Sequence, residues 1–121
     1  MKKCIRAVLA SGVIVGLIAT GTPKLAHASG TCVSTSCTAH IIEFAVMANR
    51  VRIRLDVDAN QLAKLTNCTL ETGVYFTLSS AHGLYKEALM TLRSAQLAER
   101  EVTIRTVDGS ADCTVSYVRS Y

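Results

Sequence analysis

Nine residues, RVRIRLDVD from Arg50 to Asp58, constrain the fold more than any other stretch. Val51, Ile53, Leu55 and Val57 alternate with Arg50, Arg52, Arg54, Asp56 and Asp58. Successive side chains of an extended chain point to opposite faces, so this alternation puts the apolar groups on one side and the charges on the other. A helical period would scatter both sets around a cylinder. The stretch therefore predicts a strand with one face buried and one in water. One strand cannot hide that face alone, so partner strands and a second layer must exist.

The neighbouring runs supply them. HIIEFAVM places Ile42, Phe44 and Val46 on one parity and predicts a preceding strand. The turn at Ala48-Asn49 is too short for anything but a hairpin. ANQLAKLTN, from Ala59, is a loop with room for one helical turn. VYFTL, Val74 to Leu78, is a third strand, and Ser79 or Ser80 can cap a helix that runs to about Ala98. EVTIRTV from Glu101 is a fourth strand, Asp108-Gly109-Ser110 a tight turn, and CTVSYVRSY from Cys113 a fifth strand. The fold class is mainly β with one helix, in the order β-β-β-α-β-β. That order is the one found in an OB-fold, a small five-stranded Greek-key barrel. The alternative is an open α+β sheet with the helix on one face.

The first 28 residues stand apart. Lys2, Lys3 and Arg6 form a basic start, Ala7 to Ala19 an uncharged apolar run, and Ala26-His27-Ala28 a small-x-small cleavage pattern. Together they predict a secretory signal peptide, with the apolar run too short for a comfortable membrane span of about 20 residues. Cys4 precedes the apolar run and does not read as a lipid-attachment site. The product is expected to be secreted or periplasmic, from a bacterium. The leader also carries the charge imbalance. The whole chain has 13 Lys and Arg against 9 Asp and Glu. With Lys2, Lys3, Arg6 and Lys24 gone, nine of each sign remain. A neutral domain gives no electrostatic reason to expect nucleic acid or membrane insertion.

Four cysteines remain: Cys32, Cys37, Cys68 and Cys113. In an exported domain this small, an even count argues for disulfides. Three pairings are open. Cys32–Cys37 as a local staple and Cys68–Cys113 as a long tie are preferred, the second worth roughly 4 kcal/mol by the chain-entropy model. A metal site from Cys32, Cys37 and His40 is the rival, and it lacks a convincing fourth ligand. Residues 29–38, rich in Ser, Thr and Gly, read as a flexible N-terminal arm pinned by its own cysteines, and 39–121 as the domain proper.

The helix has two faces. At about 100° per residue, Leu84, Tyr85, Ala88, Leu89, Leu92 and Ala95 share a stripe suited to the core. Lys86, Met90, Arg93 and Leu97 share the opposite stripe. Two large apolar residues there suit a subunit contact, with Lys86 and Arg93 at its edge or facing a channel.

The residues Cys68-Thr69-Leu70, Val74-Tyr75-Phe76-Thr77-Leu78, Leu84-Tyr85-Lys86-Glu87-Ala88-Leu89, Val102-Thr103-Ile104-Arg105 and Cys113 with Val115-Ser116-Tyr117-Val118 carry a family likeness. In pattern, over roughly His40 to Tyr121, the chain resembles the OB-fold B subunits of AB5-type bacterial toxins, in their pertussis-like and subtilase-cytotoxin-like branch. The resemblance implies a homo-oligomer, a pentamer, with the helices lining a central pore. It implies a toxin A subunit seated there and host-surface glycans bound at the rim. The chain has no tryptophan, and STSCTAH offers hydroxyls without an aromatic. Thr38, His40, Arg54 and Tyr75 are the residues best placed for a sugar. The other function class is a stand-alone periplasmic or secreted OB-fold protein that binds a protein or small ligand.

Catalytic patterns are missing. His40 and His82 have no acid and nucleophile set around them in sequence, and Asp56-Val57-Asp58 falls short of a calcium loop. Asn67-Cys68-Thr69 is formally a glycosylation acceptor, spoiled by its central cysteine. A non-enzymatic protein without cofactor or metal is expected. The Arg50, Arg52, Arg54 comb reads first as a solvated face, then as a contact for an acidic sugar or an acidic partner. Basic strands that bind single-stranded nucleic acid interleave aromatics, and this one does not.

Overall fold

A computed structural model of the chain describes residues 30–121. The segment read as a signal peptide, with Cys4, lies outside the described residues. The alternating run becomes strand β4 (Arg50–Leu55), with Val51, Ile53 and Leu55 buried. It pairs antiparallel with β3 (Ile41–Val46) on one side and β5 (Tyr75–Ser79) on the other. The order in this sheet is β3-β4-β5. A second sheet runs in the order β1-β2-β6-β7, from β1 (Thr31–Val33), β2 (Ser36–Ala39), β6 (Val102–Thr106) and β7 (Val115–Ser120). Along the chain, the one-turn helix α1 (Ala59–Leu62) connects β4 to β5 and the longer α2 (Tyr85–Leu97) connects β5 to β6.

The molecule is therefore mainly β with two antiparallel sheets, and it is not the closed barrel expected from the element order. The sheets meet at two seams. At the first, His40 alone separates β2 from β3, and its carbonyl accepts the Asp56 N–H at 2.9 Å. At the second, Thr77 and Thr114 form a single parallel bridge, and the Thr77 N–H donates to the Cys113 carbonyl at 3.3 Å. Cys113 stands at φ +42°, outside extended geometry. The chain turns there, so one bridge forms in place of a continuous ladder.

The segment read as a flexible arm is a hairpin. Cys32 and Cys37 face each other across β1 and β2, and Cys37 in turn faces Ile104 of β6. Their disulfide has a Cα separation of 4.1 Å. Thr and Ser form strands readily when one parity of the run is buried. Here Cys32, Cys37 and Ala39 supply that parity. The second bond joins Cys68 to Cys113, Cα atoms 5.0 Å apart. Both pairs follow the preferred connectivity, so neither Cys32 nor Cys37 is available as a metal thiolate.

One core fills the space between the sheets. Phe76, Ile53, Leu78, Leu92, Ile104, Val51, Val102 and Val115 are its largest fully enclosed side chains. Each is worth about 1.5–3 kcal/mol for its removal from water. The helix adds Ala88, Leu92 and Ala95, with Tyr85 and Leu89 half-buried beside them. Leu84 was assigned to this stripe but is 61% exposed, because α2 begins only after it. Ser79 and Ser80 do not cap the helix: Ser79 ends β5, and its hydroxyl accepts the Ala81 N–H. His82 takes part of that role, with Nδ1 accepting the Leu84 N–H at 3.0 Å and Nε2–H donating to the Ser116 carbonyl at 2.8 Å.

The parity expected for β3 is corrected at Ile42. A register shift between Ile41 and Glu43 puts Ile41 opposite Leu55 in the core and leaves Ile42 51% exposed. Beyond the shift Phe44 and Val46 lie opposite Ile53 and Val51 on the expected face, with Val46 71% exposed at the strand's end. Asn67 is likewise a structural residue: its side-chain amide donates to the Asp108 carboxylate at 2.9 Å, and its carbonyl oxygen receives the buried Thr106 hydroxyl at 2.8 Å.

Gly30 sets the entry to the domain. A Cβ at this position would lie 2.5 Å from the Ala39 Cβ and 2.7 Å from the Asp56 carbonyl oxygen. Gly30→Ala is expected to cost about 1–3 kcal/mol, read as a lowered urea midpoint with unchanged slope. The two disulfides should differ in worth, because they close loops of 5 and 45 residues. Removing Cys68–Cys113 as a double alanine should cost about 4 kcal/mol, and removing Cys32–Cys37 about 2 kcal/mol. Denaturant titration of the two double variants checks that order.

Candidate binding surfaces

The arginine comb faces away from the core on β4, where its neighbours decide what it can do. Arg50 and Arg52 both donate to one carboxylate, Glu71, whose side chain is 13% exposed. The Thr77 hydroxyl adds a weak contact at 3.4 Å. The Arg52 hydrogen bond, with the Arg50 charge behind it, holds the Glu71 carboxyl below its ordinary 4.5. Arg54 differs. Its guanidinium lies 3.8 Å from Glu43, beyond hydrogen-bond distance, and neither side chain is buried. Glu43 spends its other oxygen on the Tyr75 hydroxyl, which donates at 2.9 Å. That bond raises the Tyr75 phenol above its usual range, with burial adding to it. Arg52 also lies over the Tyr75 ring, 5.6 Å from its centre. The comb is thus mostly neutralised within the chain, with one tooth left open.

The four residues selected for a sugar do not gather. Arg54 and Tyr75 oppose each other on β4 and β5. Thr38 is in the other sheet, its hydroxyl 2.6 Å from that of Thr103, which in turn is 3.0 Å from the Tyr121 hydroxyl. This contact, together with the Arg119 guanidinium, lowers the Tyr121 phenol from its ordinary value. His40 sits at the seam, its Nε2 3.1 Å from the Glu99 carbonyl oxygen. It borders a cavity of about 450 Å³ with Ile42, Asp56, Gln96 and Arg100. No described cavity is lined by more than one of the four.

The outer stripe of α2 is open. Met90 is 69% exposed and Leu97 82%, and Lys86 is also exposed. Arg93 is exposed too, but its guanidinium lies over the Phe44 ring, 5.5 Å from its centre, which ties the helix to β3. It stands at the edge of the stripe rather than as an isolated cation. Next to the helix, β3 is the free edge of its sheet and carries the exposed Ile42 and Val46.

Glu71, Thr103, Arg119 and Tyr121 were missed as contact residues. Thr103 was legible as the outward parity of β6; Arg119 and Tyr121 were not, because they share sequence parity with the buried Val115 and a register shift between β6 and β7 reverses the face. Glu71 was not, because its partners lie 19 and 21 residues earlier in the chain.

Glu71 also sets a pH dependence. A carboxyl whose folded pKa is depressed stabilises the fold above its unfolded value and loses that contribution as pH falls through the folded one. The contribution is present above about pH 4.5 and is lost below it. Glu71→Gln should therefore melt lower than the parent at pH 7, with the gap closing as the pH is taken well below 4.5.

No protein-family model, no curated protein and no solved structure matches this chain.

Proposed function

We propose that the chain is a non-enzymatic binding subunit of the AB5 type, an OB-fold B subunit that forms a homopentameric ring, binds host-surface glycans and carries an A subunit. The observation that carries this reading is the outer stripe of α2. Met90 and Leu97 are among the most exposed apolar side chains of the domain and lie one above the other on its only long helix. Burial of such a stripe against a second copy removes it from water. A ring needs two different surfaces in contact at each junction. The helix stripe and the β3 edge, with Ile42 and Val46, supply two that are adjacent and dissimilar. The pattern likeness of Leu84 to Leu89 and Val102 to Arg105 to B subunits supports the same assignment. So does the path of the chain. β2 and β3 act as one long strand bent at His40 between two sheets, and Thr77–Thr114 brings the opposite edges together, as in a partly open Greek-key barrel. Export as a disulfide-bonded domain fits the two pairs of bonded cysteines. Among the described residues no helix is long and apolar enough to cross a membrane.

Sedimentation equilibrium of the mature chain tests the ring. The parent should sediment as an oligomer, and Met90→Glu or Leu97→Glu should reduce it to a single chain with unchanged circular dichroism. A parent that is monomeric at all concentrations would sink the ring and leave a stand-alone binding protein.

A further inference from the structure

The open arginine stands at the mouth of an apolar cleft. The space between β4, α1 and the loop up to β5 measures about 540 Å³. Val57, Leu62, Leu65, Leu70 and Val74 line it, and Arg54 is the one charged side chain in its wall. Leu65 is buried, and Leu62 and Leu70 pack against the core beneath. Arg54 makes no hydrogen bond to a protein group among the described residues, and its ion pair with Glu43 is long. The other two arginines of the comb are held by Glu71 and cannot reach a ligand without breaking those bonds.

The lining also discriminates between occupants. A bound peptide would bring its own N–H and C=O groups, which need partners in an apolar cleft. Most backbone amides along this wall are already spent: Leu62 donates to Asp58, Ala63 to Ala59, Leu65 to Leu62, Thr69 to Ser110, Gly73 to Leu70 and Val74 to Glu71. A hydrocarbon chain asks for none of them. One cation in an otherwise uncharged lining then favours a ligand with a single anionic head.

We propose that this cleft binds a medium-chain aliphatic carboxylate, its chain against Leu62, Leu65, Leu70 and Val74 and its head on the Arg54 guanidinium. The guanidinium fork matches a carboxylate in two hydrogen bonds. The site is independent of the helix stripe and stands whether or not the chain forms a ring.

The test uses the mature protein with octanoate, octanol, butanoate and acetate, followed by calorimetry and by backbone amide shifts. Octanoate should bind and move the amides of residues 62–74. Affinity should rise about fourfold for each methylene buried between butanoate and octanoate. Arg54→Gln should weaken octanoate about tenfold or more and leave octanol unchanged. Ala63 is exposed and lines the same cleft, so Ala63→Glu should fold normally and weaken octanoate by a similar factor. Any of three results overturns the site: no binding of octanoate at millimolar concentration, octanoate affinity equal in Arg54→Gln and parent, or amide shifts confined to other parts of the chain.

Discussion

The two seams between the sheets hold the rest of the domain in place. At one, the chain itself crosses through His40. At the other, a single bridge between Thr77 and Thr114 stands beside the Cys68–Cys113 bond. A covalent tie at that point does what a run of ladder bonds does in a fully closed barrel. It keeps β5 and β7 together, and with them the two apolar faces that share Phe76, Ile104 and Leu92. Without it the small core would have to hold both sheets by burial alone, which is marginal at this chain length.

Much of this was legible in the sequence, and the failures have physical causes. The parity of Val51, Ile53 and Leu55 survived intact because β4 is the central strand of its sheet, constrained on both sides. In β3 the parity held for Phe44 and Val46 and failed at Ile42, because a register shift leaves no mark in the alternation of apolar residues. The Ser- and Thr-rich segment before His40 looked unstructured because its burial rests on Cys32, Cys37 and Ala39, small residues that do not register as a hydrophobic run. The barrel was too closed an expectation, since element order says which strands exist and not how many bridges join them. Ionic partners were the least legible. Local patterning showed three arginines in a row and could not show that Glu71 would fold back across two of them.

That folding back changes the meaning of the domain's neutrality. Equal numbers of each sign need not cancel locally, but here the densest cationic strand is met by carboxylates from both neighbours, Glu71 before β5 and Glu43 on β3. What remains outward is selective. It consists of an apolar helix row edged by Lys86 and Arg93, a hydroxyl row from Thr38 through Thr103 to Tyr121, and one loosely held arginine. These are three surfaces with different chemistry on a domain of modest size.

The hairpin of β1 and β2 has a consequence in time. Its cysteines are five residues apart, so it can close as soon as the two thiols meet an oxidant. Its partner β6 arrives much later: Thr103, which meets Thr38, is 65 residues further on. During that interval β2 presents an unpaired edge, the feature that invites pairing with the wrong chain. A bond between directly opposed residues fixes which way Thr38 and Ser36 face before β6 is available. The N-terminal staple therefore serves the emerging chain as much as the finished one, by holding the first template in register until its complement is delivered.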